Sequence, residues 1–416
     1  MRRKNKIIKK TLLSIRKEKE NMELKDVVLC SAVRTPLGNF GGTLRNFKVY
    51  DLGAMVIRET VKRAGMSAEM VDEVIVAHCR QAGNGPNPAR TAAVRAGIPI
   101  AVPAHTVNKA CPSGLKAIVL ASQALRLEDA EVIVVGGMES LSTIPYLLEN
   151  CRWEGFRMGN RALVDGWGGA VDPLCKMGMG VTAENLSVKY NISRREQDEW
   201  GLRSHQMAAK AWDNGWFDKE IMPVTIPATK KTPEIVFTKD ETFRPDANLE
   251  AMSKLPTAFK EGGTVTAANS SSMSDGASAI VMTTRQKAKE LGLRITGSLV
   301  SYAYVGVEPA EMGEGPGIAI PLALKKAGLS LNDMDLLEVN EAFAAQILAN
   351  ERVLKWDRDK VNIHGGAIAL GHPTGLSGVR LMTTLLHAMH THRKELAAVA
   401  VCGGGGMGVA IVVKAE

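Results

Sequence analysis

Two similar blocks occur in the chain, each a glycine-containing turn followed by a helix pattern and an apolar strand pattern. The first block reads NKACPSGLKAIVLASQAL from Asn108, and EVIVVGG follows it from Glu131. The second reads GHPTGLSGVRLMTTLLHAM from Gly371, and AAVAVCGGGG follows it from Ala397. Because turn–helix–strand units are common in α/β proteins, chance similarity is an alternative explanation. We favour a duplication and predict two halves that meet about a pseudo-two-fold axis.

Along the chain, short apolar runs alternate with amphipathic helix patterns such as 50–64 and 115–127. The runs have the length of buried strands, and they lie at 26–31, 73–77, 131–135, 279–282, 335–339, 397–401 and 409–413. This alternation predicts an α/β fold in which helices cover a mixed sheet. Residues 140–265 interrupt it with tryptophans, glycines and helical pieces such as 193–213, and we interpret this segment as an inserted functional cap.

The positive charge of the chain is concentrated at its beginning. The formal net charge is +8, but residues 1–20 contain nine Lys and Arg against two Glu, so the rest is close to neutral. A near-neutral body does not favour a nucleic-acid partner or a membrane surface. Residues 1–22 lack the apolar run of a secretory signal, and no segment has the roughly 20 apolar residues of a membrane span. We interpret residues 1–22 as a basic, flexible extension.

The six cysteines are scattered, and none of them forms a CxxC pair. This spacing disfavours a zinc ribbon or a thioredoxin-like motif and favours free thiols in a reducing cytoplasm. Cys111 stands on a turn just before the helix pattern that begins near Ser113. Free N–H groups and the helix dipole at that position favour a thiolate. A purely structural role for this cysteine remains open.

Three further residues are candidates for chemistry. His372 precedes the helix of the second block and could take a proton from a nearby thiol, although it could equally be an ordinary turn residue. Cys402 opens a run of four glycines, whose N–H groups can approach a ligand, but a small buried side chain is also consistent. The run lacks the residues of a phosphate loop or a dinucleotide fingerprint. Asn340 ends a predicted strand, where it could hold a water or simply cap a helix.

Together the motifs resemble one family. NKACPSGLKA, GGMES, MGVTAEN, NEAFA, GGAIALGHPTGLSG and CGGGGMG occur in the order, and at about the spacing, of the thiolase signatures, and the resemblance covers roughly 24–416. Thiolases have two similar βαβαβαβα halves that form a layered α-β-α-β-α core with an inserted loop domain. The resemblance therefore implies an N-terminal half at 23–139 and 266–292, a CoA-binding loop domain at 140–265 and a C-terminal half at 293–416.

The resemblance also implies an activity and a role for each candidate. The chain would condense two acetyl-CoA to acetoacetyl-CoA and CoA, or cleave the product with CoA, through an acyl-cysteine. Cys111 would be the nucleophile, His372 its activator, and Cys402 the acid and base toward the substrate. The N–H groups of Cys111 and Gly404 would stabilise the tetrahedral oxyanion. The His372 side chain and a water held by Asn340 would stabilise the enolate.

Four further positions match substrate contacts of the family. Met179 and Met312 would line a short acyl pocket, while Arg244 and Ser271 would contact CoA. In this interpretation CoA is a substrate, and neither a metal nor a redox cofactor is required. The resemblance also implies a homodimer or a homotetramer.

Two departures from the family pattern leave the chain-length range open. Gly178 stands where short-chain thiolases often have histidine, and residues 268–272 read ANSSS instead of a GNASG-like stretch. A broader-range 3-ketoacyl-CoA thiolase of fatty-acid β-oxidation is therefore the alternative. Cys402 disfavours a decarboxylating ketoacyl synthase, and the CGGGGMG pattern disfavours hydroxymethylglutaryl-CoA synthase. A non-catalytic acyl-CoA-binding protein would be expected to lack one of Cys111, His372 or Cys402, and all three are present.

Overall fold

The computed structural model describes residues 25–153, 155–168, 171–230 and 232–416, so the prediction for residues 1–22 lies outside the described residues. The strands are β1 (Val27–Arg34), β2 (Gly38–Asn39), β3 (Glu73–Ala77), β4 (Ala104–Val107), β5 (Val132–Ser140), β6 (Tyr146–Leu147), β7 (Val164–Asp165), β8 (Val171–Asp172), β9 (Met177–Gly178), β10 (Val224–Ile226), β11 (Ile235–Phe237), β12 (Ser274–Thr284), β13 (Gly297–Gly306), β14 (Leu336–Val339), β15 (Leu396–Gly403) and β16 (Met407–Ala415). The helices are α1 (Val49–Arg63), α2 (Pro88–Arg95), α3 (Ser113–Leu127), α4 (Met179–Lys189), α5 (Arg194–Asp213), α6 (Leu249–Ser253), α7 (Arg285–Glu290), α8 (Gly315–Ala327), α9 (Ala344–Leu354), α10 (Ala367–Leu370) and α11 (Ser377–Thr391).

The strands of the two halves follow the same order. In the first half the order is β1-β12-β5-β3-β4, with two antiparallel pairings followed by two parallel ones. In the second half it is β13-β16-β15-β14, followed by a parallel bridge from Leu337 to Val361 in the place of β4. The first pair of each half carries a register shift at the same point, between Leu29 and Ser31 and between Leu299 and Ser301. This correspondence confirms the duplicated fold.

Helices lie on both faces of each half-sheet, which produces five layers. One apolar cluster joins α3 and α11 to the inner faces of both half-sheets. A second cluster packs α1 and α2 on the outer face of the first half, and a third packs α8 and α9 on the outer face of the second. Strands covered on both faces need apolar residues at successive positions. This burial explains why they appear as continuous apolar runs in the sequence.

The predicted elements recur with shifts of up to five residues at their ends, and each predicted strand overlaps an observed one. Strands β4 and β13 of the main sheet were missed. Strand β13 escaped prediction because it reads GSLVSYAYVG and mixes serine and tyrosine with its apolar residues. The suggestion that Asn340 caps a helix is wrong. Helix α9 begins at Ala344, and Phe343 occupies its N-cap position.

The chain between β5 and β12 contains short hairpins and the helices α4, α5 and α6. Helix α5 begins with a capping box, in which the Ser193 hydroxyl accepts the Glu196 N–H and the Glu196 carboxylate accepts the Ser193 N–H at 2.8 Å. Within the described ranges, no helix is long and apolar enough to cross a membrane.

Candidate active site

A cavity of about 690 Å³ lies between the two halves and the segment that connects β5 to β12. Its walls are largely apolar, and aromatic and methionine side chains contribute much of the surface. The sequence-predicted residues that line it are Cys111, Met179, Ser271, Met312, His372, Cys402 and Gly404. The structure therefore brings together residues that are up to 293 positions apart in the sequence (404 − 111).

The nucleophile candidate Cys111 stands on a tightly bonded turn before α3. The Ser113 hydroxyl accepts the Lys109 N–H at 2.6 Å and donates to the Ala110 carbonyl at 2.5 Å. The Asn108 side chain accepts the Ala110 N–H at 3.1 Å. Ala110 has a φ of 50°, in the left-handed region that non-glycine residues enter at a cost of about 1 kcal/mol. These bonds hold the strained turn in place and fix the direction of the cysteine side chain.

Burial raises the pKa of the Cys111 thiol, and three groups oppose it. The largest opposing effect comes from the backbone N–H of Gly404, which favours the ionised sulfur, followed by the charge of Arg80 and by the N–H of Cys111 itself. The carboxylate of Glu139 acts in the same direction as burial. The two N–H groups beside the sulfur are the donors that the sequence analysis assigned to an oxyanion hole.

Cys402 occupies the end of β15 and is buried. Burial, and secondarily the nearby Cys111, raise the pKa of its thiol well above the usual range. It belongs to a compact apolar cluster that includes Met312 and Phe343, with Met179 packed against it. A Cβ on the next residue, Gly403, would lie 2.3 Å from the Pro112 ring. The strand end is therefore packed directly against the nucleophile turn.

His372 is held by its backbone and by one ring nitrogen. Its N–H donates to the Ser272 carbonyl at 2.9 Å, and its Nδ1 lies 2.7 Å from the Ser377 hydroxyl oxygen. The Ser377 hydroxyl also donates to the Pro373 carbonyl at 3.2 Å. When the hydroxyl donates there, it accepts from Nδ1–H, so that Nε2 carries the lone pair.

The imidazole of His372 has an unoccupied nitrogen inside the site. Its buried Nε2 has no hydrogen-bond partner in the described part of the chain. Burial lowers the pKa of His372 to about 4, with a further lowering by Arg380. The ring is therefore neutral at neutral pH and has an available acceptor nitrogen inside the site.

Two predicted residues do not line the cavity. Asn340 is buried at the end of β14, and its N–H donates to the Ala400 carbonyl at 2.9 Å. Neither polar atom of its side chain has a partner among the residues that the structure describes, so this amide is available to a polar group or a water. Arg244 is exposed, and its N–H donates to Nδ1 of His205 at 3.1 Å. Its side chain is not part of the cavity wall.

Family comparison identifies this arrangement. The model of the thiolase N-terminal domain matches residues 27–286, and that of the thiolase C-terminal domain matches residues 293–415. The chain belongs to the thiolase family.

Individual thiolases are similar to this chain over nearly its whole length. An acetyl-CoA acetyltransferase of Cupriavidus necator is 48% identical over 391 residues, which cover 94% of this chain and 99% of that protein. The crystal structure of the Bacillus anthracis acetyl-CoA acetyltransferase is 44% identical with a TM-score of 0.92, and covers 94% of this chain and 99% of its own. Human mitochondrial 3-ketoacyl-CoA thiolase is 40% identical with a TM-score of 0.91 and the same coverage of both chains.

Several residues of this thiolase site were not singled out in the sequence. Phe343 lies within the NEAFA motif and packs edge-to-face on Phe259 at 5.8 Å, and both line the cavity. Motif membership could have indicated Phe343. Arg80 and Trp167 also line the cavity, and the Arg80 guanidinium stacks over the Trp167 ring at 4.5 Å. They are separated by 87 positions (167 − 80), and no spacing signal links them.

Proposed function

We propose that this thiolase is an acetyl-CoA acetyltransferase, which joins two acetyl-CoA into acetoacetyl-CoA and CoA and catalyses the reverse cleavage. One observation carries the proposal: Cys111, Cys402, His372 and Gly404 line a single cavity, in which the Gly404 N–H favours the ionised form of the Cys111 sulfur. The names of the Cupriavidus and Bacillus relatives support the same activity. An acyltransferase needs a nucleophile, a proton acceptor and an oxyanion donor at one place, and these groups provide them.

In the first half-reaction, Nε2 of His372 takes the thiol proton of Cys111. The thiolate attacks the thioester carbonyl of acetyl-CoA, and the oxyanion accepts hydrogen bonds from the N–H groups of Cys111 and Gly404. Each donor of this kind contributes about 3–4 kcal/mol of transition-state stabilisation. The intermediate collapses to acetyl-Cys111 and a CoA thiolate, which takes its proton from the Cys402 thiol.

In the second half-reaction, the Cys402 thiolate removes a proton from the methyl group of a second acetyl-CoA. The His372 imidazolium and a water at Asn340 stabilise the enolate oxygen. The enolate carbon attacks acetyl-Cys111, the carbon–carbon bond forms, and the sulfur of Cys111 leaves and recovers its proton from His372. A thiol of high pKa suits this task, because its conjugate base is strong enough to deprotonate a carbon acid.

CoA acts here as a substrate, and the two thiols and the imidazole supply the acid–base and nucleophilic chemistry without a resident cofactor. Met179 and Met312 would form the wall that receives the acyl group, since both pack against the cluster that contains Cys402. Ser271 lines the same cavity and would contact the pantetheine arm. Arg244 would bind an outer part of CoA, where an exposed guanidinium can meet an adenine or a phosphate.

We propose that the enzyme works in the cytoplasm as a homodimer or homotetramer. The six cysteines are free, which fits a reducing compartment. Exposed apolar side chains on the segment before α4, such as Phe156 at 60% and Leu174 at 70%, fit a surface that is covered in an assembly. Sedimentation of the purified chain would test the oligomer directly.

Thiolysis of 3-ketoacyl-CoA esters of increasing chain length tests the activity and its range. The proposal predicts rapid CoA-dependent cleavage of acetoacetyl-CoA, a sharp fall for longer esters, and no cleavage by Cys111→Ala. A flat profile would favour the broader-range thiolase, which the glycine at position 178 leaves open. Absence of cleavage with every ester, in a folded protein, would favour the non-catalytic acyl-CoA-binding protein.

A further inference from the structure

Arg80 is a cation of the active-site cavity to which the mechanism above assigns no role. It lies on the loop after β3, and in the part of the chain that the structure describes it is the only lysine or arginine that lines the cavity. The central carbon of its guanidinium lies 4.5 Å from the centroid of the Trp167 ring. Asp172 also lines the cavity, but its carboxylate accepts the N–H groups of Leu174, at 2.8 Å, and Gly405. The positive charge of Arg80 therefore faces a largely apolar chamber.

The backbone of the Arg80 loop is fixed directly beside the nucleophile turn. The Asn108 side chain donates to the Cys79 carbonyl at 3.1 Å, and the Cys79 thiol donates to the Ala110 carbonyl at 3.0 Å. The Arg80 N–H donates to the Glu139 carboxylate at 3.2 Å. These contacts fix the backbone of residues 79–80 to the residues on either side of Cys111. The loop that carries the guanidinium therefore stays beside the nucleophile turn.

The imidazole and the two other thiols near Cys111 supply no positive charge. His372 is neutral at neutral pH because burial lowers its pKa to about 4. The thiols of Cys79 and Cys402 both have pKa values raised by burial, so they are uncharged as well. The carboxylate of Glu139 raises the pKa of Cys111.

Glu139 remains an anion, but neighbouring groups occupy its carboxylate oxygens. Its carboxylate is 2.7 Å from Nδ1 of His78, and it accepts the Thr374 hydroxyl at 2.9 Å and the Gly375 N–H at 2.8 Å. Among the described residues that line the cavity, Arg80 is the one lysine or arginine, and its charge opposes that of Glu139 at the sulfur. Opposite charge in a low-dielectric cavity favours the ionised form of a thiol.

We propose that Arg80 is a positioning residue for the nucleophile, whose guanidinium, held on the Trp167 ring, stabilises the Cys111 thiolate and extends its reactivity toward neutral pH. The inference rests on the proposed role of Cys111 as the nucleophile. In this interpretation two groups act on Cys111: the neutral imidazole of His372 takes the thiol proton, and the positive charge of Arg80 stabilises the thiolate that remains. The charge of Arg80 is the operative property, and a lysine at this position keeps part of the effect.

Alkylation of Cys111 by iodoacetamide across a range of pH tests the proposal without using turnover. The modified Cys111 peptide is quantified by mass spectrometry in wild type, Arg80→Met and Arg80→Lys. We expect the midpoint of the alkylation rate to rise by about one pH unit in Arg80→Met and to return toward wild type in Arg80→Lys. Lys289→Met, which removes an exposed positive charge that does not line the cavity, should leave the midpoint unchanged.

An unchanged midpoint in Arg80→Met, or an equal shift in Arg80→Met and Arg80→Lys, would overturn the proposal. Trp167→Leu is a second variant that leaves the charge but removes its support, and it should raise the midpoint by a smaller amount. Because alkylation reports only on the thiol, a failure of the proposed activity can be distinguished from a failure of this inference. If the proposed activity fails, the wild type cleaves no ester, and if Cys111 is not the nucleophile, Cys111→Ala retains thiolysis; in both cases the alkylation midpoints can still respond to Arg80.

Discussion

Gly114 of α3 and Gly378 of α11 touch through their backbones at the centre of the molecule. A Cβ on Gly114 would lie 2.6 Å from the Val379 nitrogen, and a Cβ on Gly378 would lie 2.3 Å from the Leu115 nitrogen. The two glycines follow the reactive turns of the two repeats. Their contact therefore sets how closely the Cys111 turn and the His372 turn approach.

Replacing either of these glycines by alanine should separate the two central helices. We expect Gly114→Ala and Gly378→Ala each to lower the free energy of unfolding by about 1–3 kcal/mol, because backbone must move to accommodate the methyl group. Chemical denaturation measures the change. Gly306→Ala is the matched control, since the nearest atom to its Cβ would be 3.9 Å away. Wild-type stability of both central variants would contradict the contact.

Cys402→Ser should divide the reaction into its two halves. The variant keeps Cys111 and its oxyanion donors, so it should still form the acetyl-enzyme. Removal of a methyl proton from acetyl-CoA should fall by about 10²–10⁴-fold, because a serine hydroxyl ionises far less readily than a thiol and so supplies almost no anion to act as the base. Deuterium exchange into acetyl-CoA measures this step. The control is Cys30→Ser, which alters a buried thiol outside the cavity. Exchange at the wild-type rate in Cys402→Ser would exclude Cys402 as the base.

Ser377→Ala should weaken catalysis through His372. The hydroxyl lies 2.7 Å from Nδ1, and its loss removes the partner that orients the ring. We expect kcat to fall about tenfold, in line with the contribution of one hydrogen bond, with little change in KM. The control is Ser122→Ala, which deletes a buried hydroxyl bonded to the Val119 carbonyl in α3. If the two substitutions lowered kcat equally, Ser377 would contribute only to packing and not to the orientation of His372.

Buried neutral histidines should make the fold sensitive to mild acid. Burial lowers the pKa of His372 and His205 to about 4 and that of His364 to about 3. Between these values and about 6.5, the unfolded chain binds more protons than the folded chain, so stability rises with pH across this window. Each histidine contributes up to about 1.4 kcal/mol per pH unit. Glu338 acts in the opposite sense, because burial raises its pKa to about 8.

The net effect of these groups should be a falling unfolding temperature as the pH drops from about 6.5 to about 5, where ordinary carboxylates remain ionised. Calorimetry at several pH values measures it. His205→Asn removes one of the proton-binding groups and should flatten the dependence. A constant unfolding temperature over this range would contradict the lowered pKa values of the buried histidines.

The sequence predicted those parts of the structure that depend on local pattern. Strands buried on both faces produced apolar runs, and the repeat located the turns of Cys111 and His372. Strand β13 was missed because alternating serine and tyrosine hide its buried face. Arg80 and Trp167 could not be found, since their contact exists only after the segment between β5 and β12 folds over the cavity. Contacts between residues far apart in the sequence produce no periodic pattern from which they could be predicted.

Trapping the acyl-enzyme determines whether Cys111 is the nucleophile. The protein is mixed with acetyl-CoA alone, quenched in acid, digested and analysed by mass spectrometry for the site of acetylation. We expect one acetyl group on the Cys111 peptide, discharged by added CoA, and none in Cys111→Ala. Acetylation at Cys402 instead, or an unmodified Cys111 in a protein that still turns over acetyl-CoA, would contradict it.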